Sequence, residues 1–291
     1  MKKMIRAGQR LPAWLKAKMP GSEQYFNVKK TVEEHRLHTI CKSGLCPNIG
    51  ECWANGTATF MILGEICTRH CRFCGVTHGI PAPPDDGEPQ RVSMAIARMK
   101  LRHVVVTSVT RDDLDSGGAI QWTQTIRCIR QYTPNITLET LIPDFSGNTS
   151  SIQMIVDQRP DVISHNLETT ERLTPLIRSK AQYRLSLKVI EMVARSGITA
   201  KSGIMVGLGE TSNEVIRTID DLRNTGCMII TIGQYLQPSA ENINVQQFVS
   251  PQQFEEYKQY ALSVGFRYAE CSPLVRSSYH ANKHAQSFSP F

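Results

Sequence analysis

Two cysteine triplets near the N-terminus constrain this chain more than any other feature of its sequence. Four and five residues separate the members of the first triplet, and three and two separate those of the second: Cys41, Cys46 and Cys52, then Cys67, Cys71 and Cys74. Thiolates in such groups are typical ligands of iron–sulfur clusters and of zinc. Three thiolates bind only three irons of a four-iron cluster, whereas electron-transfer clusters use four cysteines. The spacing therefore predicts two metal sites, and in the second it predicts an iron with a position open for a substrate.

Zinc and disulfides are the alternatives to iron–sulfur clusters. His70 or His78 could complete a zinc site with the second triplet, although its spacing differs from the paired CxxC motifs of structural zinc. Disulfides are disfavoured because the chain has 9 cysteines, an odd number, and no recognisable secretory signal. Iron–sulfur clusters are the favoured interpretation, and zinc remains open.

The composition is that of an ordinary soluble protein. The 291 residues are 41% hydrophobic, enough for one large core, and no segment has the length of apolar sequence needed to span a bilayer. The chain is therefore expected to be cytoplasmic, with no membrane insertion. Its net charge of +7 arises from 33 basic and 26 acidic residues without a long basic block, so nucleic-acid binding is not indicated.

Strand-like and helix-like segments alternate from residue 56 onward. Six β-rich runs are expected to form strands: Thr57–Ile62, His103–Ser108, Ile136–Leu141, Asp161–Ser164, Ile198–Val206 and Met228–Gly233. Helical spacing between them predicts a parallel sheet with helical crossovers. Ser212 is the expected N-cap of one helix, and Pro81–Pro89 is expected to be a loop.

Polar and cysteine-containing segments follow these strands, at the edge where barrel enzymes gather their chemistry. This placement favours an α/β fold that is a partial TIM-type (βα)6 barrel with N-terminal and C-terminal extensions. The expected domains are residues 1–55, an irregular extension with the first triplet; residues 56–240, the barrel; and residues 241–291, which contain one more helix and a short strand.

The second triplet resembles the defining motif of radical S-adenosylmethionine (SAM) enzymes. Phe73 matches an aromatic residue common in that motif, and Gly203 to Glu210 resembles the GxIxGxxE pattern of the adenine pocket, with Met205 replacing the isoleucine. In that superfamily the open iron binds SAM, and an electron from the cluster cleaves SAM to a radical that takes hydrogen from unactivated carbon. The cofactor supplies the reactivity, and the protein supplies its position and ligands.

The match extends along the chain to one family, the lipoyl synthases. The shared motifs run in family order from about residue 41 to residue 281: CPNIGECWANGTATFMILG, TS, RDDL, GGA, PDF, NLET, GLGET, GQYLQP and RSSYHA. The resemblance implies that Cys67, Cys71 and Cys74 hold the SAM-binding four-iron cluster. It also implies an auxiliary four-iron cluster on the first triplet, whose fourth ligand is Ser278.

The reaction implied is insertion of two sulfur atoms at C6 and C8 of an octanoyl chain attached to a lysine of a carrier domain. The resemblance implies one SAM for each sulfur and the auxiliary cluster as a sacrificial sulfur donor, so the chain would be a sulfurtransferase with two four-iron clusters. The implied partners are octanoylated 2-oxoacid dehydrogenase E2 subunits and glycine cleavage H protein, an electron donor such as flavodoxin or ferredoxin, and a cluster-repair protein.

The resemblance also implies residues that contact SAM. They are Phe73, Thr107, Ser108, Asn166, Glu168, Arg184, Gly207 and Glu210. Asn166 and Glu168 could instead cap a helix, and Arg184 could make a surface ion pair. The hydroxyl groups of Thr107 and Ser108 could likewise satisfy the end of a strand.

One segment departs from the family pattern. After Gln237 and Pro238 the family commonly has a basic segment containing histidine, whereas this chain has Ser239 to Val245, SAENINV. Three cysteines outside the triplets, Cys128, Cys227 and Cys271, are assigned to no metal, and the first two are interpreted as small buried apolar residues. Two other functions remain as alternatives: a biotin synthase-like sulfur-inserting enzyme, or a metal-stabilised binding module.

Overall fold

The computed structural model describes residues 11–16, 21–55, 57–99, 101–178, 180–279 and 281. Contacts within the chain define two compact units. The first unit comprises the described residues of Lys18–Arg69, Val76–Ser164 and Ser278–Phe291, and the second comprises those of Met1–Ala17, His70–Gly75 and His165–Ser277. The expected domain boundaries after residues 55 and 240 do not coincide with this division and remain a prediction.

The first unit contains five described strands. They are β1 (His38–Thr39), β2 (Thr59–Ile62), β3 (His103–Ser108), β4 (Thr137–Leu141) and β5 (Val162–Ser164). Neighbours from β2 to β5 pair in parallel, with Phe60 opposite Val106 and Thr140 opposite Ile163, while β1 runs antiparallel to β2. Strand β2 is buried along its whole length because both faces are covered, as expected for a parallel sheet.

The helices of the first unit follow the predicted alternation. They are α1 (Glu23–Glu34), α2 (Ile40–Ser43), α3 (Ile49–Ala54), α4 (Glu88–Arg98), α5 (Ala119–Tyr132) and α6 (Thr149–Val156). The described part of residues 1–55 is thus largely helical, and its interpretation as irregular was wrong. Side-chain caps explain the difference: Ser22 Oγ accepts from Tyr25 N at 3.1 Å and Thr39 Oγ1 accepts from Lys42 N at 3.3 Å.

The second unit contains three described strands and four α-helices. They are β6 (Thr199–Val206), β7 (Ile229–Gln234) and β8 (Tyr268–Cys271), with α7 (Thr174–Ile177), α8 (Tyr183–Arg195), α9 (Ser212–Asn224) and α10 (Pro251–Ser263). Strands β6, β7 and β8 pair in parallel. The six predicted strands and the short strand near the C-terminus are therefore all confirmed, with bounds that differ by at most two residues.

Two helix starts differ from the sequence prediction. Helix α9 is capped by Thr211 rather than Ser212, because Thr211 and Glu214 form a reciprocal capping box. Helix α4 begins at Glu88, so the predicted loop ends before Pro89, which occupies the first helical turn. Among the residues that the structure describes, no helix is both long and apolar enough to span a bilayer.

Candidate functional site

The first cysteine triplet lies on two short helices and the turn between them. Cys41 is on α2 and Cys52 is on α3, while Cys46 lies in the turn, where its N–H donates to the carbonyl oxygen of Cys41 at 3.0 Å. Cys41 is buried, and Cys46 and Cys52 are partly buried. Local helical structure thus sets the positions of all three thiols.

The three sulfur atoms lie within electrostatic reach of one another. Burial, and then the neighbouring Cys46 thiol, raise the pKa of Cys41 to about 11 and that of Cys52 to about 12, and Cys41 also raises the pKa of Cys52. Several thiolates cannot remain together in a buried site without a cation, because each disfavours ionisation of the others. A metal cluster resolves this repulsion, since it binds the deprotonated form.

Hydrogen-bond donors surround Cys41. The main-chain N–H of Thr59 and the side chain of Trp53 both favour its thiolate. Trp53 is 2% exposed, and within the described residues its Nε1–H has no hydrogen bond of normal geometry. This buried N–H could donate to a sulfur atom of an iron–sulfur cluster, because such hydrogen bonds are common at cluster sites.

Ser278 is connected to this triplet through Thr59. Thr59 Oγ1 donates to Ser278 Oγ at 2.8 Å, and Thr59 also contacts Cys41 through its main chain. Next to it, Tyr279 Oη donates to Glu51 Oε1 at 3.0 Å, one residue before Cys52. The structure therefore places Ser278 beside the first triplet, although it lies more than 200 residues further along the chain.

Two histidines near the second triplet are the possible zinc ligands. Within the described chain, no three His, Cys, Asp or Glu side chains form a group that could hold one ion. His70 and His78, the possible zinc ligands, are exposed.

The second triplet lies in irregular chain after β2. In the first unit, Cys67 N donates to Thr77 O at 2.9 Å, and Arg69 N approaches Cys67 Sγ at 3.4 Å. In the second unit, Cys74 N donates to Cys71 O at 3.0 Å. All three cysteines are partly exposed.

A buried ion-pair network fixes the segment that follows Cys67. The Arg69 guanidinium donates to both carboxylate oxygens of Asp112, at 2.8 Å each, and to both of Asp144, at 2.7 and 2.8 Å. It also donates to Ser146 Oγ at 3.1 Å. Burial would lower the pKa of Arg69, but the two aspartates raise it well above its ordinary value. This network was not predicted from the sequence, although Asp112 and Asp144 belong to quoted motifs and Arg69 lies between Cys67 and Cys71.

Phe73 packs against an apolar cluster of the second unit. The buried members are Leu173, Ile177, Leu208 and Tyr235. Arg72 N donates to the carbonyl oxygen of Ile177 at 2.8 Å, which holds the main chain beside the ring. The structure thus places Phe73 on an apolar wall, a suitable surface for the face of an aromatic ligand.

Asn166 and Glu168 form a polar pair in the second unit, where Glu168 makes an isolated parallel bridge to Ile204 on β6. Asn166 Nδ2 donates to Glu168 Oε1 at 3.1 Å, and Glu168 has a left-handed φ of 66°. Burial raises the pKa of the Glu168 carboxyl, while the positive charge of Arg178 and the Asn166 bond oppose that shift. Ser277 Oγ, which the sequence analysis left unassigned, donates to Asn166 Oδ1 at 3.1 Å. A residue with a strained backbone and a desolvated carboxylate is typical of a binding site.

Gly207 and Glu210 shape a tight turn after β6. Gly207 has a φ of 95°, and an added Cβ would lie 2.1 Å from Gln234 Nε2 and 2.4 Å from Gln247 O. The Glu210 carboxylate accepts from Gly207 N and from Leu208 N, the latter at 2.9 Å. Burial raises the pKa of Glu210. The backbone here approaches its neighbours so closely that only glycine fits.

The other predicted SAM contacts have partners within the protein. Thr107 Oγ1 donates to Leu141 O at 2.9 Å, and Ser108 Oγ accepts from Trp122 Nε1 at 3.2 Å. Arg184 is exposed on α8 and forms a bidentate pair with Glu171 at 2.7 and 2.9 Å. The geometry of Arg184 is that of the surface ion pair named above as its alternative role.

The cysteines outside the triplets differ in burial. Cys227 and Cys271 are buried, whereas Cys128 on α5 is partly exposed, so the interpretation of Cys128 as a buried apolar residue was wrong. Burial raises the pKa of Cys227 to about 12. No described cysteine forms a disulfide, which removes the disulfide alternative for the nine cysteines of the described chain.

Several solved structures share the fold of this chain. The chain aligns with Streptococcus suis SuiB bound to its precursor peptide SuiA at a TM-score of 0.59 and 7% identity, over 89% of this chain and 55% of that one. It aligns with methylornithine synthase (PylB) at a TM-score of 0.54 and 9% identity, over 86% of this chain and 78% of that one. The chain thus spans little more than half of SuiB. At these identities the likeness concerns the fold alone, and it confirms the predicted α/β partial-barrel class.

Sequence comparison defines the class more closely. The profile of the radical SAM superfamily matches residues 61–222, more than half of the chain. With the second triplet at its start, this match makes the chain a member of that superfamily, whose enzymes use SAM and an iron–sulfur cluster. The profile of the N-terminal domain of lipoyl synthase matches residues 1–46.

Full-length relatives then give the family. Lipoyl synthase of Treponema denticola is 54% identical over 97% of this chain and 98% of its own length. Lipoyl synthase of Parabacteroides distasonis is 54% identical over 94% and 98%, and the mitochondrial lipoyl synthase of Nematostella vectensis is 52% identical over 94% of both chains. This chain belongs to the lipoyl synthase family. The predicted family is confirmed, and the biotin synthase-like and binding-module alternatives are set aside.

Proposed function

We propose that this protein is a sulfurtransferase that inserts two sulfur atoms at C6 and C8 of an octanoyl chain carried as an amide on a lysine of a carrier domain. The observation that carries the proposal is the approach of Ser278, through Thr59, to the three thiols of the first triplet. This approach supports a second set of sulfur and oxygen ligands besides the radical SAM motif. Family membership supports the same reaction.

Two ligand sets suit a reaction that needs both a radical and a source of sulfur. When bound, one four-iron cluster with SAM supplies a radical that abstracts hydrogen, one SAM for each sulfur, and an auxiliary four-iron cluster supplies the sulfur. Cys67, Cys71 and Cys74 would hold the former, and Cys41, Cys46, Cys52 and Ser278 the latter. The motif alone supports the assignment of the second triplet. The assignment of the first triplet is supported both by its motif and by the effect of neighbouring thiols on the pKa values of Cys41 and Cys52.

Several side chains are suited to hold SAM in place. Phe73 offers an apolar face, and the partly desolvated Glu168 carboxylate, oriented by Asn166, offers acceptors for ammonium or hydroxyl protons. Gly207 and Glu210 would shape the adenine pocket through the turn that they form. Thr107 and Ser108 would add hydroxyl contacts, because a hydroxyl with one partner can still make further bonds. Arg184 would have to leave its pair with Glu171 to reach a ligand.

Carrier proteins are the proposed substrates, since the octanoyl chain of this reaction is carried on a protein. The proposed carriers are the E2 subunits of 2-oxoacid dehydrogenases and the glycine cleavage H protein. Flavodoxin or ferredoxin would supply electrons, and a cluster-repair protein would rebuild the auxiliary cluster after each turnover. A cytoplasmic location is proposed, because a reducing compartment keeps the thiols available for iron.

An anaerobic assay tests the proposal directly. Protein with reconstituted clusters is mixed with SAM, a reductant and an octanoyl-lysine carrier peptide, and the peptide mass is measured. We expect a product that has gained two sulfurs, and that loses two hydrogens when it is oxidised to the dithiolane, with two molecules of SAM consumed. A hexanoyl-lysine peptide, which has no C8, should give no dithiolane, and the Cys128→Ser variant should keep full activity because Cys128 lies outside both triplets. SAM cleavage without any sulfur in the octanoyl peptide would contradict the proposal.

A further inference from the structure

The segment Ser239 to Val245, which departs from the family pattern, contacts the short piece of chain that carries Cys71 and Cys74. Asn242 Nδ2 donates to the carbonyl oxygen of Cys74 at 2.9 Å and to that of Arg72 at 3.2 Å. The main-chain N–H of Ile243 donates to the same Arg72 oxygen at 3.0 Å. The Asn242 side chain and the Ile243 main chain therefore bind the carbonyl groups of Arg72 and Cys74, which lie before Phe73 and after it.

Neighbouring residues of the same turn fix the orientation of the Asn242 side-chain amide. Ser239 Oγ donates to Asn242 Oδ1 at 2.8 Å, so the amide nitrogen points to the carbonyl groups of the cysteine segment. Asn242 N donates to Ser239 O at 3.2 Å, and Gln237 Nε2 donates to Asn242 O at 2.7 Å. The donor is thus preorganised by its own turn and does not depend on the cysteine segment for its position.

Apolar contacts reinforce these bonds. Ile243 and Val245 pack against the same buried cluster as Phe73. Tyr235, a member of that cluster, donates its hydroxyl to Ile243 O at 2.7 Å. The Ser239 to Val245 segment is therefore tied both to the cysteine segment and to the wall on which Phe73 lies.

We propose that Asn242 is a positioning residue for the SAM-binding cluster. By holding the carbonyl groups of Arg72 and Cys74, it sets the backbone angles at Phe73 and Cys74, and hence the direction of the Cys74 thiol and the Phe73 ring. Two peptide groups bound by a fixed amide cannot rotate independently. This inference rests on the proposed function only for the nature of the bound cluster.

Hydrogen exchange of iron-free protein tests the positioning role without any activity. In Asn242→Leu, which lacks the donor, and Asn242→Asp, which places an acceptor against two carbonyl groups, we expect the amides of residues 71–75 to exchange about tenfold faster. In Asn242→His, exchange should return towards wild type, because an imidazole N–H stands at a similar distance from Cα. The matched control is Asn244→Leu, since Asn244 Oδ1 accepts only a long 3.3 Å bond from Gln237 within the same segment; it should change nothing at 71–75.

A spectroscopic measurement then links the contact to SAM. Each variant is combined with Cys46→Ala, so that the reduced protein carries the SAM-binding cluster alone, and the electron paramagnetic resonance signal is titrated with SAM. We expect the SAM concentration for half-maximal change to rise about tenfold in Asn242→Leu and Asn242→Asp, with rescue by Asn242→His. Unchanged exchange and an unchanged titration in Asn242→Leu would overturn the proposal, as would equal effects in Asn244→Leu or failure of the histidine rescue. A wild-type protein that made no lipoyl product would count against the proposed function and leave the exchange result intact.

Discussion

The two cysteine triplets are held in position by different kinds of contact. The thiols of the first are positioned by neighbouring helices α2 and α3 and are close enough to raise one another's pKa. The cysteines of the second lie in irregular chain that distant side chains hold: Arg69 with its two aspartates in one unit, and Asn242 in the other. The local helices fit the sulfur store proposed for the first triplet, and the long-range contacts fit the SAM-binding role proposed for the second.

The largest expected effects separate the chemistry of the two triplets. Cys67→Ala should reduce reductive SAM cleavage at least about a thousandfold, as loss of an essential member of a catalytic unit does. Cys46→Ala should leave SAM cleavage within a few fold of wild type and abolish formation of the dithiolane. Both are measured in the same anaerobic assay, by 5′-deoxyadenosine release and by peptide mass. If Cys46→Ala still produced the lipoyl group, the two triplets would not divide the work in this way.

The next effect concerns the ion pairs that hold the chain after Cys67. Arg69→Met leaves Asp112 and Asp144 without their cation, and the Arg69 and Asp144 side chains are 6% and 1% exposed. Removing one partner of a buried pair destabilises by about 3–5 kcal/mol, so urea unfolding of the iron-free protein should show a loss of that size. The control is Arg195→Met, whose pair with Glu191 is exposed and should contribute less than about 1 kcal/mol. If both variants lost the same free energy of unfolding, the Arg69 ion pairs would stabilise the chain no more than an exposed pair does.

A substitution at Ser278 tests whether the first triplet depends on a residue distant in sequence. Ser278→Ala should reduce sulfur insertion by about 10- to 100-fold and leave SAM cleavage unchanged, because it removes an oxygen beside the thiols of the first triplet only. Thr59→Val, which removes the hydroxyl that donates to Ser278, should have a smaller effect in the same direction. The exposed Ser263→Ala is the control, and its activity should equal that of wild type. Full sulfur insertion by Ser278→Ala would show that the first triplet needs no ligand from the C-terminal segment.

Local pattern was enough to predict much of this molecule. Alternating β-rich and helical runs gave six strands, and the two cysteine spacings gave the candidate ligands, because both signals lie within short stretches of sequence. Ser278 came only from resemblance to a family, since nothing in the local sequence of two adjacent serines indicates a ligand. Its hydrogen bond to Thr59 is a long-range contact that only the fold reveals.

The supporting contacts were missed for the same reason. Arg69, Asp112 and Asp144 were visible as charged residues in motifs, but their mutual pairing depends on how three loops meet. Asn242 lies in a segment that was noted only because it departs from the family pattern, and its donation to Cys74 depends on the turn built by Ser239. Helices α1 and α2 were missed because their short or polar sequences give weak apolar periodicity, whereas their N-caps are side-chain contacts.

The smallest expected effect concerns Glu88, which holds the chain between β2 and Cys67. Its carboxylate accepts from Leu63 N at 2.7 Å and from Gly64 N at 3.3 Å, two residues with left-handed φ angles of 67° and 87°. Burial raises the pKa of Glu88, and the two N–H bonds with the charges of His38 and Arg91 only partly oppose it. The folded state therefore binds the proton more tightly than the unfolded state. Stability should fall as pH rises from the ordinary glutamate pKa through the raised one.

Glu88→Gln removes that titration. The difference in unfolding free energy between wild type and Glu88→Gln should therefore change with pH, by at most about 1.4 kcal/mol per pH unit, and wild type should lose relative stability as pH rises. Asp85→Asn gives the opposite sign, since Arg91 and the Gly87 N–H hold the pKa of Asp85 below its usual range and that contribution is lost as pH falls. Denaturant unfolding of iron-free protein across the acidic range measures both slopes. If the stability difference between wild type and Glu88→Gln did not change with pH, Glu88 would have the same pKa in the folded and unfolded states, and the buried carboxylate would not distinguish the chain before Cys67.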